Sequence, residues 1–456
     1  MRKLLLLLVT VTLVTTTSAG LVRPVQKTVS PKPASRTLAI VGATVIDVNG
    51  KSNIADALVI IEGDKIKSVG PRAKLKVPSG AQVIDARGKY LMPGLIDTHT
   101  HSAYDGKDSW LSARFLSTGI TTVLDTGSLP PVYDLKRRIA IGELQGPRML
   151  VCGPMISGEP VAFPMSETVK TPEEARRAVD ARVAAGADFI KTHAQLAPND
   201  LRAAIDEAHK KGLRTISHTG KTNALEAVLA GTNILTHLVG VADVAVPDPE
   251  KIRSAHAAAF LAGWIASSLA WPQADPAKLD GLIREMVSRH VFYSPTLSIH
   301  HTIAFARDPD AFRDRAVASV PPDAILKDWE GLAKQPFDTA PFKKAWINMQ
   351  QFVKRFYDAG GVLIVGTDTA AVYQAPGLSA HEEMRLMAEL GVPVIDALRA
   401  GTINAARALG IERETGSIEA GKLADIVIID ADPLADINNT RKIARVIKAG
   451  VVYQKQ

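Results

Sequence analysis

Pro93-Gly94-Leu95-Ile96-Asp97-Thr98-His99-Thr100-His101 reads as a turn, a short apolar strand and two histidines at i and i+2. Strand alternation sends both imidazoles to one face. Two imidazoles on one face at a strand end can hold one divalent metal. Taken alone, the pair fits two surface or core histidines equally well. Four more runs of the same construction alter that balance: Ala187-Asp188-Phe189-Ile190-Lys191, Arg214-Thr215-Ile216-Ser217-His218, Asn233-Ile234-Leu235-Thr236-His237 and Val362-Leu363-Ile364-Val365-Gly366-Thr367-Asp368. Each is an apolar run that closes on an ionisable side chain. His99, His101, Lys191, His218, His237 and Asp368 therefore fall at the C-terminal ends of five predicted strands.

Working outward, eight strands are predicted at Leu95–His99, Thr121–Asp125, Arg148–Cys152, Asp188–Lys191, Thr215–His218, Ile234–His237, Val291–Leu297 and Val362–Asp368. Amphipathic helices sit between many of them, such as Glu173–Ala185 after Thr171-Pro172 and Asp200–Lys211 before Gly212. Strand–helix alternation at this spacing predicts an α/β fold of parallel βαβ units, and eight of them a closed (β/α)8 TIM barrel over residues 93–411. In such a barrel the C-terminal strand ends converge on the catalytic face. An open doubly wound sheet is the alternative, but no Gly-x-Gly-x-x-Gly follows the first strand. Unusually long connections follow the sixth and seventh strands and contain Trp264, Trp271, Trp329 and Trp346, which the plainest reading makes packing residues. Val- and Ile-rich runs at both termini (Thr37–Asp47, Ala57–Gly70, Gln82–Leu91, Gly416–Asp430 and Ile443–Tyr453) predict a small β-sandwich domain built from residues 37–92 and 412–456.

The whole chain has 456 residues, 46% hydrophobic and 22% charged, which are globular values that exclude disorder. A single cysteine, Cys152, excludes a disulfide framework and a Cys-rich zinc module. Residues 1–19 carry Arg2 and Lys3, then the apolar run Leu4–Val14, then small residues, the pattern of a secretory signal. That run is too short to span a bilayer as a stable helix. Residues 20–36, rich in Pro, Lys and Ser, read as a flexible leader. The expectation is an exported protein, periplasmic or secreted, with no membrane association after signal removal. The formal charge of +7 then drops to +5, and its cations are scattered. A nucleic-acid groove would cluster them among aromatics, so no nucleic-acid partner is expected.

The order His-x-His, Lys, His, His, Asp resembles the amidohydrolase superfamily in its two-metal, carboxylated-lysine form. The closing stretches Asn404–Gly410 and Gly416–Asp425 resemble it too, and Gly186–Lys191 is similar to the prolidase-like (Xaa-Pro dipeptidase) and ochratoxinase-like branch related to imidazolonepropionase-like amidohydrolases. The resemblance implies two divalent ions, zinc first among them. His99, His101 and Asp368 would hold one and His218 and His237 the other, with Lys191 as a CO2-derived carbamate between them. A bare ammonium would be repelled by two divalent cations, whereas a carbamate offers two oxygens to a metal pair about 3.5–4 Å apart. The implied reaction is hydrolysis of amide or peptide bonds in small N-acyl amino acids or dipeptides by a metal-bridging hydroxide, with Asp368 as general base and acid. An esterase, lactonase or phosphotriesterase using the same centre is the alternative, and a homo-oligomer is expected. His193, on the face of Lys191, and Tyr293, on the seventh strand, are the substrate-binding candidates. Lys221, three residues past His218, reads either as a contact for a substrate carboxylate or as a solvated lysine. His381 reads as supporting the site from outside, and His209, His256, His290, His300 and His301 as structural.

Overall fold

The computed structural model describes residues 37–103, 108–306, 338–369, 371 and 374–453. The expected signal segment 1–19, the leader 20–36 and Trp329 lie outside the described residues. Val, Ile and Leu at both ends of the chain pair into one eight-stranded sheet. Its order is Val451–Tyr453, Ile443–Lys448, Ile426–Ile429, Tyr90–Pro93, Thr37–Val45, Ile54–Glu62 and Lys65–Pro71, with Gln82–Asp85 also paired to Thr37–Val45. Ile54–Glu62 turns back onto Lys65–Pro71 at Gly63, whose φ of 63° suits a residue without a Cβ. The two chain ends meet where Leu91 pairs with Ile428. Ile40, Val59, Ile66, Ile428 and Ile447 share one apolar core, so strands from both extremes of the sheet enclose it.

Tyr90–Pro93 runs through Gly94 directly into Leu95–Thr100, the strand that carries the histidine pair. A Cβ at Gly94 would lie 2.1 Å from Thr121 Oγ1, so only glycine allows this close crossing. Leu95–Thr100, Ile120–Asp125 and Arg148–Val151 form a three-stranded parallel sheet. A seven-stranded parallel sheet follows, ordered Ser166–Thr168, Met155–Ser157, Phe189–Thr192, Arg214–His218, Ile234–Thr236, Phe292–Ser294 and Val362–Leu363. Hydrogen bonds cross between these sheets at both edges. Asp188 N–H donates to the Val151 carbonyl at 2.8 Å on one side. On the other, Thr98 N–H donates to Val365 and Asp368 N–H to His99, at 2.9 and 2.8 Å.

Local signals set the helices. Pro172–Ala185 opens at Thr171, whose side chain accepts from Glu174 N–H, and closes at Gly186 with φ 91°. It buries Ala175, Ala178 and Val179. Pro198–Lys210 does the same with Leu201, Ala204, Ile205 and Ala208. Two predicted strands are shorter than expected. Val291–Leu297 pairs only over Phe292–Ser294, because Pro295 has no N–H and Thr296 turns the chain with φ 49°, so that Leu297 begins a helix to Ala304. Val362–Asp368 pairs as a regular strand only over Val362–Leu363. The long connection after Ile234–Thr236 holds the helices Pro249–Ala258, Phe260–Ala270 and Pro276–Ser288. Trp271 and Trp346 are buried as packing residues, Trp271 edge-on to Phe352.

Candidate metal centre

The apolar strands deliver their terminal side chains to one place. His99 Nε2 and His101 Nε2 lie 3.2 and 3.0 Å from the same Asp368 oxygen. Donor atoms of these three residues all fall within 4.8 Å of one another, a set that could hold a metal ion. Next to them, the rings of His99 and His237 stand 4.7 Å apart and those of His237 and His218 4.2 Å apart. Asp368 and His237 adopt positive φ, 61° and 69°, which is uncommon for residues with a Cβ. Such backbone persists where its surroundings over-determine it.

Those surroundings are visible. Asp97 accepts from the N–H groups of His99 and Thr367 on one oxygen and from the Thr367 hydroxyl on the other. One buried carboxylate thus ties the backbones preceding two of the gathered side chains. His99 Nδ1 bonds to Thr236 Oγ1 at 2.8 Å, His237 Nδ1 to Thr296 Oγ1 at 2.8 Å and His101 Nδ1 to the Gly127 carbonyl at 2.6 Å. Each ring is held through its far nitrogen, the arrangement that orients a metal-binding imidazole. Tyr293 donates its hydroxyl to the carbonyl of His237 at 2.9 Å and supports that strained turn.

Electrostatics favour ligand forms at three of the four histidines; His101 is the exception, where burial is outweighed by the hydrogen bond to Asp368 and the imidazole is raised. Burial, aided by Lys191, pushes the His99 imidazole down to about 3, and burial holds His218 and His237 well below the usual histidine range. Neutral imidazole is the form that binds metal. Burial alone would raise Asp368, but His99, His101 and His237 outweigh it and keep the carboxyl well below its ordinary value. Lys191 is 2% exposed and burial lowers its ammonium to about 8. Its Nζ has no hydrogen-bond partner, nor does His218 Nε2. Buried polar atoms in native proteins are almost always paired. These two orphaned atoms, beside a His-His-Asp set, fit a centre whose remaining partners are metal ions.

Of the two substrate-binding candidates, His193 lies at the centre, its ring 4.7 Å from that of His218. Tyr293 does not present its hydroxyl to a substrate. The residue is fully buried against Phe352 and Phe356, and its OH is engaged by His237. Lys221 Nζ donates to the Glu159 carbonyl. His381 is inside the helix Leu378–Glu389, bonded to Thr440 Oγ1 and the Thr118 carbonyl, and so braces helices rather than the centre. His209 bonds Asn233 and is structural, as expected. His300 stacks on Trp264 with an interplanar angle of 4°. Asp97, Thr236, Thr296, Phe163 and Phe260 belong to the site without having been singled out. For Asp97 a signal existed, an acid inside an apolar strand two residues before a histidine.

The Amidohydrolase family model matches residues 90–453. Over 414 residues, 86% of this chain and 84% of the relative, the sequence is 25% identical to a 5-methylthioadenosine/S-adenosylhomocysteine deaminase of Bacillus cereus (strain AH820). It is 27% identical over 410 residues to a dihydroorotase of Pelotomaculum thermopropionicum, covering 87% and 89% of the two chains. Among solved structures, a candidate prolidase from Bifidobacterium longum superposes with a TM-score of 0.69 at 26% identity, covering 92% of this chain and 95% of that one. The ochratoxinase of A. niger shares the fold with a TM-score of 0.67, at 19% identity and 92% and 96% coverage.

Proposed function

We propose that this chain, which belongs to the amidohydrolase family and is a hydrolase acting on carbon–nitrogen bonds, cleaves amide or peptide bonds of small N-acyl amino acids or dipeptides. The parallel strands close into one (β/α)8 ring, with the hydrogen bonds at both sheet edges as its seams. His99, His101 and Asp368 would hold one divalent ion and His218 and His237 a second, and Lys191, as a carbamate, would supply oxygen ligands to them. Ions held there supply Lewis acidity toward a carbonyl and lower the pKa of a water. The observation that carries this reading is the convergence of four imidazoles and a carboxylate, together with a buried Lys191 nitrogen that lacks a partner and whose charge acts on His99.

The chain's own residues supply the remaining chemistry. The three neighbouring histidines keep Asp368 ionised, so it can accept a proton. Its side chain is 17% exposed, against 1% for His99, so it faces the more accessible side. There it takes a proton from water and returns it to the departing amine, which an amide requires because an amine anion leaves poorly. Burial of His99, His218 and His237 excludes bulk water from the rest of the centre.

Metal analysis and intact-mass measurement on purified protein test the centre: two equivalents and 44 Da of added mass on Lys191 are expected. One equivalent with an unmodified lysine removes the two-ion reading. A hydrolysis panel of N-acyl amino acids and Xaa-Pro dipeptides, run beside aryl esters, lactones and phosphotriesters, tests the bond. Turnover confined to the oxygen esters would replace the amide reading with the esterase alternative.

A further inference from the structure

We infer that Phe163 and Phe260 form the wall that selects the acyl half of the substrate, favouring aromatic or large apolar acyl groups. The inference rests on the amide-hydrolase reading of the centre. Phe163 lies in the connection after Met155–Ser157, and Phe260 opens the helix Phe260–Ala270 after the sixth of the predicted strands. The two rings meet edge to face at 5.1 Å. Both reach the centre: Phe163 lies 5.6 Å from His193, and Phe260 lies 5.2 Å from His193 and 5.7 Å from His218. His193 and His218 are buried beneath them, whereas Phe163 and Phe260 are only half-buried.

A half-exposed aromatic ring in contact with a proposed metal ligand is available to a ligand, and its chemistry limits which. The two phenyl rings offer a carboxylate neither a hydrogen-bond donor nor a positive charge, and their faces carry the negative side of the ring quadrupole. A cationic group would suit the ring faces but would be repelled by two divalent ions nearby. An apolar group is left, which gains by removing its surface from water against the rings.

The orientation follows from the opposite side. Asp368 and His101 are the more exposed members of the centre, at 17% and 16% for their side chains. The amine that receives its proton from Asp368 must face that side. The acyl substituent, across the scissile carbonyl, then points toward His193, His218 and the two phenylalanines. Glu159, Pro160, Val161 and Ala257 border a shallow cavity of about 420 Å³, formed by residues that shortly precede the two phenylalanines in the chain.

The test compares N-benzoyl-L-alanine with N-acetyl-L-alanine, which differ only in the acyl group. The metal-loaded enzyme is expected to favour the benzoyl amide in kcat/KM by on the order of thirtyfold. Phe163→Ala and Phe260→Ala should each lower that ratio about tenfold. Where an alanine variant fails to give a cooperative melt, the corresponding leucine variant must still lower it by about threefold. A ratio unchanged in folded variants overturns the wall, as does a preference that follows the amine half, read with N-acetyl-L-phenylalanine. If no amide is turned over by protein that binds metal, the amide reading fails, and the wall is tested separately. Calorimetry must then show benzoate binding more tightly than acetate, with the difference lost in Phe260→Ala; equal binding overturns the wall too.

Discussion

Thr236→Val is the substitution that isolates how the first histidine is held. The change conserves shape and removes the hydroxyl that meets His99 Nδ1 at 2.8 Å. Both residues are buried, Thr236 completely and His99 to 1%, so no water replaces the lost partner. A buried polar group left unpaired costs about 1–3 kcal/mol. Part of that cost falls on the metal-free fold. The part that matters for function is the freedom regained by the ring, whose Nε2 must stay aimed at the position shared with His101 and Asp368. Loss of such an orienting partner typically weakens metal binding by about 10–100-fold, which agrees with the same energy range at about 1.4 kcal/mol per decade. The assay is competition for zinc against a chromophoric chelator, followed for both equivalents. The affinity of the His99-containing site should drop by that factor, and Thr296→Val should act in the same way on the site containing His237. Zinc release curves that superpose on wild type, in a variant that melts cooperatively, would show that the threonine does not orient the ring.

Three further outcomes follow from the same geometry. Asp368→Asn should abolish most of kcat, on the order of 100-fold or more, while metal analysis still finds bound metal; near-normal turnover would remove Asp368 as the proton carrier. Gly94→Ala forces a Cβ to 2.1 Å from Thr121 Oγ1 and should cost at least about 1–3 kcal/mol in denaturant unfolding, with a loss under about 0.5 kcal/mol refuting the crossing argument. Asp243, buried and accepting from Ser267 Oγ at 2.6 Å, is raised by burial from 3.8 to about 6. The folded chain therefore holds this proton more tightly than the unfolded one. The associated stability, about 3 kcal/mol, is complete below pH 4 and is lost as pH rises through about 6. Asp243→Asn should flatten that part of a melting-temperature profile, and a profile parallel to wild type would contradict the assignment.

The side chains gathered at the proposed centre were legible in the sequence because a strand has a fixed period and parallel strands share a direction. His99, Lys191, His218 and His237 could be placed by counting from apolar runs alone. Their supporting partners obey no such count. Thr236 precedes His237 but serves His99, 137 residues earlier, a pairing that only the neighbouring of strands creates. Tyr293 fits both a substrate contact and a core residue in the sequence for a related reason: which way its hydroxyl turns depends on the left-handed backbone of His237, which nothing local encodes. Phe163 and Phe260 lie in connections where hydrophobic periodicity says nothing about what a ring will face. The seventh strand ends at Ser294, short of the Leu297 that its apolar pattern predicts, because Pro295 has no N–H to continue the pairing.

The pairing of Leu91 with Ile428 delays when the first histidine strand can be anchored. Tyr90–Pro93 leads without a loop into the strand of His99 and His101, and Gly94 N–H donates to the Asp425 carbonyl. The first histidines to leave the ribosome are thus anchored by some of the last residues to follow. Contacts so distant in sequence close slowly, so the side chains of the proposed centre stay unassembled until the strand Ile426–Ile429 is available. A chain cut short before Ile426 would retain all six proposed ligands and still lack the strand that holds the first pair in place.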